Sequence, residues 1–125
     1  MQKSGEDYLE AVLQISKEMD TAGVRITDIA NKLGVSKPSV IRAMQILKDD
    51  GYVEKEAYGD IFLTSKGKVK AGQVLYRHGT LTEFFTDVLG VSPKQAEEDA
   101  CLIEHDISAE SMEKLVSFMK AYKKD

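Results

Sequence analysis

The sequence holds a single cysteine, Cys101, so no disulfide can close within the chain and reducing surroundings suit it. Its only two prolines, Pro38 and Pro93, each fall where a helix is expected to begin. No apolar run reaches membrane-spanning length, and Met1-Gln2-Lys3-Ser4-Gly5 lacks the apolar core of a signal peptide. A cytoplasmic location with no membrane partner is therefore expected. Neither a His-Glu-x-x-His helix nor a Gly-rich phosphate loop occurs, which speaks against an enzyme and an organic substrate. Internal repeats, low-complexity tracts and Gly/Ser linkers are also missing. What remains is a 125-residue chain, 30% charged and 42% apolar, long enough for one core or two small subdomains.

A formal net charge of −4 argues at first against a nucleic-acid partner, but the charges are segregated. From Asn31 to Lys48 the only charged residues are Lys32, Lys37, Arg42 and Lys48, and from Phe62 to Arg77 they are Lys66, Lys68, Lys70 and Arg77. From Arg77 onward six bases face ten acids. The acidity thus belongs to the C-terminal part.

Apolar spacing over Leu9, Val12, Leu13 and Ile15 predicts a first helix across Glu6 to Met19. A short second helix is expected with Thr27 as its cap and Gly34 as its end. Ser36 can cap a third helix from about Lys37, with Val40, Met44 and Leu47 on its buried side. Tyr52 to Lys55 and Ile61 to Thr64 read as a small hairpin around Tyr58-Gly59-Asp60. Thr64 or Ser65 then opens a long helix expected to run to Leu89-Gly90. Ser92-Pro93 begins another expected to reach Ile107, and Ser108 caps a last one. The predicted fold is mainly α with a small β-hairpin wing, in two parts, 1–75 and 76–125, joined by the long helix.

Helix, tight turn, helix and hairpin is the winged helix-turn-helix order, whose second helix enters the DNA major groove. Ser36, Lys37, Pro38, Ser39 and Arg42 offer hydrogen-bond donors, a guanidinium that can fork onto guanine, and an apolar ring for a thymine methyl. Lys55, Lys66 and Lys68 are better placed for phosphates. Any one lysine is more simply a solvated side chain; the coincidence of ordered signals points to double-stranded DNA.

Only two histidines occur, His78 and His105. Offsets of zero, three and four place Cys101, Glu104 and His105 on one face of the expected helix. Their S, O and N donors suit a borderline divalent transition metal rather than calcium. Asp7 and Glu10 share a face of the first helix and His78 lies on the long one, so six donors from separate helices can fill one or two sites. Each piece alone has a plainer reading: acids complement a helix N-terminus, and a lone cysteine fills a core.

These residues together resemble the diphtheria toxin repressor and manganese transport regulator (DtxR/MntR) family. The likeness rests on Glu6-Asp7-Tyr8-Leu9-Glu10, Thr27-Asp28-Ile29-Ala30, Ser36-Lys37-Pro38-Ser39-Val40, Leu63-Thr64-Ser65-Lys66-Gly67, Tyr76-Arg77-His78 and Cys101-Leu102-Ile103-Glu104-His105. It implies a winged helix-turn-helix domain plus a helical metal-binding and dimerisation domain, without the SH3-like third domain of longer members. It implies a homodimer that binds a palindromic operator when metal is present and represses metal-uptake genes. By the resemblance, Asp7, Cys101, Glu104 and His105 form one cluster of ligands, and Glu10 and His78 a neighbouring one that Glu104 can share. Asp7 and Glu10 match the manganese-type pattern and Cys101 the iron-type one, so Fe²⁺ or Mn²⁺ is expected, with Co²⁺, Ni²⁺ or Zn²⁺ as in vitro substitutes. The dimer contact is expected around Val88, Ala96, Ala100, Ile103 and Ile107. The competing readings are a winged-helix regulator that answers to a small organic ligand, or to nothing, and a small metalloenzyme with Glu104 or Glu10 as base.

Overall fold

The computed structural model describes residues 3–57 and 59–124; Tyr58, expected in the hairpin turn, lies outside the described residues. Its elements are α1 (Lys3–Glu18), α2 (Ile26–Leu33), α3 (Lys37–Asp49), β1 (Val53–Lys55), β2 (Ile61–Leu63), α4 (Ser65–Glu83), a π-helical turn (Phe84–Val88), α5 (Pro93–Ile103) and α6 (Ala109–Lys124). The architecture is mainly α with a two-stranded antiparallel wing. The chain divides into two compact units, Met1–Gly72 and Gln73–Asp125, and α4 carries the boundary.

In the first unit, α1, α2, α3 and the wing close over one core of Leu9, Val12, Ile15, Val24, Ile29, Val40, Met44, Leu47, Val53 and Ile61. Each such side chain contributes about 1.5–3 kcal/mol when fully removed from water. Local chemistry sets the ends. Gly34 terminates α2 at φ 66°, a left-handed conformation that a side chain would oppose. Ser36 Oγ accepts from the Ser39 N–H at 3.3 Å to start α3, with Pro38 in the first turn. The N-cap position of α2 is Arg25, not Thr27, and no side chain caps it. Instead Arg25 Nε meets Asp28 Oδ2 at 3.1 Å, and Thr27 falls at the second position of the helix.

The wing pairs Val53 with Leu63, Glu54 with Phe62 and Lys55 with Ile61. An unexpected bridge adds to it: Val24 and Ile61 exchange both backbone hydrogen bonds, at 2.9 and 2.8 Å. The segment between α1 and α2 therefore acts as a third, one-residue strand, buried through Val24. Thr64 Oγ1 accepts from the Gly67 N–H at 3.0 Å and donates to the Gly51 carbonyl at 2.7 Å, fixing the start of α4 to the end of α3.

The second unit packs α4, α5 and α6 around Leu81, Ala100 and Met112, with Phe85, Ile107, Leu115 and Val116 against them. The long helix does not stay α-helical to Leu89. Thr82 and Thr86 hydroxyls donate back to the His78 and Thr82 carbonyls at 2.8 and 3.1 Å, and the ladder widens until the Leu89 N–H reaches Phe84 O. Such back-bonding competes with the main chain and favours a π turn. Ala96 and Ala100 are wholly buried, and Ile107 packs on this core, so they fill the unit's own interior. Among the residues expected at a dimer contact, Ile103 remains exposed, beside Leu102.

Gly67 packs against the wing so closely that a Cβ there would collide with the Tyr52 carbonyl, which is backbone and cannot swing aside. Gly67→Ala is therefore expected to lose about 1–3 kcal/mol of stability. Urea unfolding checks this; an unchanged midpoint would contradict the packing described.

Candidate metal centre and nucleic-acid interface

Four of the six expected metal donors lie in the second unit. α4 presents His78; the last turn of α5 presents Cys101; Glu104 and His105 follow. α5 ends at Ile103, and Glu104 follows as its right-handed C-cap with its N–H on the Ala100 carbonyl at 3.0 Å, so Cys101 and Glu104 keep the expected one-turn spacing and His105 lies in the turn beyond. Hydrogen bonds around this turn close it off. Ile103 O accepts from both Asp106 and Ile107 N–H, at 3.1 and 3.0 Å, and Arg77 Nε donates at 3.1 Å to the Glu104 carbonyl. A continuing helix would have offered that carbonyl to the Ser108 N–H.

Glu104 points inward from this last turn. Its side chain is fully buried, and its two oxygens face two imidazoles: Oε2 lies 2.9 Å from His78 Nδ1, and Oε1 lies 3.1 Å from His105 Nε2. Glu104 Oε1 makes no hydrogen bond among the described residues, although that nitrogen is beside it. Cys101 Sγ is 3.7 Å from His78 Nδ1, and ligating atoms of His78, Cys101 and Glu104 all fall within 4.8 Å of one another. Tetrahedral bonds of about 2.0–2.3 Å put donors roughly 3.3–3.7 Å apart; the sulfur–nitrogen separation matches, and the closer nitrogen–oxygen pair would open by a few tenths of an ångström around a transition-metal ion. Burying a carboxylate is costly without a counter-charge, and the two imidazoles together with such an ion would offset it.

The remaining expected donors, Asp7 and Glu10, lie on α1 in the first unit, Glu10 buried and Asp7 half-buried. The same helix buries Glu6, whose Oε2 meets Lys70 Nζ at 3.4 Å. Arg77 was not anticipated as a site residue. Its signal was its place beside His78, and it acts through Glu104, by holding the carbonyl at the end of α5.

On the nucleic-acid side, α3 turns Val40, Met44 and Leu47 into the core and leaves Lys37, Pro38 and Arg42 exposed at its N-terminal half. Ser36 and Ser39 hydroxyls lie 2.8 Å apart, coupled to the cap. Lys55 on β1 and Lys68 on α4 are exposed. Lys66 is partly committed within the unit: its ammonium donates to the Asp50 carbonyl at 2.8 Å and sits 4.3 Å from the Tyr52 ring centroid. A cation there complements the C-terminus of α3. Among the described residues no helix is long and apolar enough to cross a membrane.

Two family profiles divide the chain. The iron-dependent repressor N-terminal DNA binding domain matches residues 1–61, and the iron-dependent repressor metal binding and dimerisation domain matches residues 64–125. The HTH-type transcriptional regulator MJ0568 of Methanocaldococcus jannaschii is 37% identical over 98% of both chains. The HTH-type transcriptional regulator MntR of Bacillus subtilis is 34% identical over 98% of this chain and 84% of its own. The solved manganese regulator SloR superposes with a TM-score of 0.81 at 28% identity over 96% of this chain. The chain spans 55% of that protein's length.

Cobalt(II) titration reads the second unit's donors directly. A thiolate-to-cobalt charge-transfer band is expected in the near ultraviolet and should vanish in Cys101→Ser, and Glu104→Gln should weaken Co²⁺ about 10–100-fold. A full band in Cys101→Ser would mean that the sulfur is not a ligand.

Proposed function

The chain belongs to the iron-dependent repressor (DtxR/MntR) family of metal-dependent transcriptional regulators, and from that premise we propose that it represses metal-uptake genes as a homodimer on a palindromic operator in the cytoplasm, with Fe²⁺ or Mn²⁺ as corepressor. The observation that carries the reading is the buried Glu104 carboxylate between His78 and His105, with Cys101 beside it. A binding module for an organic ligand has no use for that donor set.

In this reading His78, Cys101, Glu104 and His105 hold the ion from the second unit, and Asp7 and Glu10 are the donors that α1 adds. When bound, a divalent cation supplies the positive charge that lets these carboxylates share one locus. Without that charge, Asp7, Glu10 and Glu104 repel one another, and the DNA-reading unit is free to sample many positions. Held together, the donors restrict the two α3 helices of a dimer to the separation a palindrome requires, roughly 34 Å or a multiple. Ser36, Lys37, Pro38, Ser39 and Arg42 then meet base edges, and Lys55, Lys66 and Lys68 meet phosphates. A 100-fold preference for the ordered ensemble is worth about 2.7 kcal/mol, enough for a switch. The carboxylates suit Mn²⁺ or Fe²⁺, and the thiolate softens the site toward Fe²⁺, Co²⁺, Ni²⁺ or Zn²⁺. Support for the metal also comes from relatives named as manganese or iron regulators.

The test uses a duplex enriched from a random-sequence pool by the protein with Mn²⁺ or Fe²⁺. Asp7→Ala and His105→Ala should each lose about 10–100-fold in metal-dependent binding to that duplex. Unchanged binding, or equal binding in chelator, would return the chain to the metal-independent reading.

A further inference from the structure

The outward side of α3 carries a feature that neither its hydrogen bonds nor its core contacts explain. Ile41 is 49% exposed, although the helix already gives Val40, Met44 and Leu47 to the interior. It stands three residues after Pro38 and four before Gln45, both exposed, so the three lie along one ridge. Lys37 and Arg42 flank it, and no acid occurs from Asn31 to Lys48. Gln45 is already engaged, its Nε2 donating to Asp49 Oδ1 at 3.0 Å. The other exposed isoleucine of α3, Ile46, lies elsewhere on the helix, in a groove of about 350 Å³ shared with Tyr8 of α1.

An apolar side chain among the Lys37, Arg42 and Lys48 cations of α3 calls for an occupant that is anionic overall and locally apolar. A protein partner offers carboxylates and hydrocarbon in no fixed relation. Duplex DNA combines phosphates with one apolar group in its major groove, the thymine 5-methyl. Resting on the DNA-binding reading above, we propose that Ile41 is a specificity-determining residue that packs on the 5-methyl of one thymine in each operator half-site. It adds to the apolar ring of Pro38 a second, branched contact further along the groove. Arg42, the next residue, serves a neighbouring base or phosphate, so the thymine stands next to Arg42's contact.

The experiment uses the full chain with Mn²⁺ or Fe²⁺ and the duplex enriched from a random pool. Each thymine is replaced in turn by deoxyuridine, which removes only the methyl group. The unaltered protein should lose about three- to fivefold per half-site at the Ile41 thymine, the size of one buried methyl. Ile41→Ala should bind thymine and deoxyuridine equally at that position and keep the penalty at any other methyl-sensitive thymine. Alanine at an exposed helix position favours the fold, and circular dichroism verifies it. An identical deoxyuridine profile in Ile41→Ala overturns the inference. So does a result in which Ile41→Ala instead weakens association between copies of the chain in sedimentation, which would make this face a self-contact. If the unaltered protein enriches no sequence with metal, the proposed function fails and takes this inference with it; an enriched site without an Ile41-dependent methyl penalty removes this inference alone.

Discussion

The second unit is organised around the burial of one carboxylate. Glu104 has no solvent contact, and its oxygens face His78 Nδ1 and His105 Nε2 within 3.1 Å. A buried carboxylate is tolerated only where positive charge or hydrogen bonds replace water. The architecture supplies both imidazoles from different places in the chain, one on α4 and one in the turn after α5. Leu81, Ala100 and Met112 fix the two helices against each other, so the distances follow from apolar packing rather than from the polar groups. Arg77 occupies the Glu104 carbonyl just beyond the end of α5. Glu104 and Cys101 stay one turn apart at the end of α5, and both converge on His78.

The first unit obeys a different constraint. Its core is assembled from three helices and a wing, and the reading helix is held at both ends, by Ser36 at the start and by the Lys66 and Thr64 contacts at the finish. Rigid placement matters because base recognition depends on where a few side chains point, and phosphate contacts add affinity without information. Charge segregation reconciles an acidic chain with a DNA partner: α3 from Lys37 to Lys48 carries only cationic charges, and the excess of acids over bases falls in the C-terminal unit, where ten acids face six bases. A net charge is a poor guide when a chain carries two functions on two units.

Much of this was legible in the sequence because it is local. The Ser36 cap, the Gly34 stop, the 3.6-residue stripe of α3 and the short β-rich runs each depend on neighbours a few residues away. Four features were not legible, and each is decided by something distant. Arg25 rather than Thr27 stands at the N-cap position of α2 because an ion pair with Asp28 competes. Val24 joins the wing only because Ile61, far along the chain, presents free backbone groups. α5 ends at Ile103, with the next carbonyl taken by Arg77, and the π turn accompanies threonines whose back-bonding the apolar pattern does not register. At the site, the family resemblance grouped Cys101 with His105 and set His78 apart, whereas in the fold Cys101 approaches His78, and Glu104 turns one oxygen to each histidine.

The central claim is that metal and DNA act on one equilibrium, which makes their effects reciprocal. The most direct measurement is the metal affinity of the protein, by isothermal titration of Mn²⁺, without and with a saturating duplex that it has itself selected. The account predicts that the duplex tightens Mn²⁺ by the same factor by which Mn²⁺ tightens the duplex. A metal affinity indifferent to DNA, alongside metal-dependent DNA binding, would contradict it.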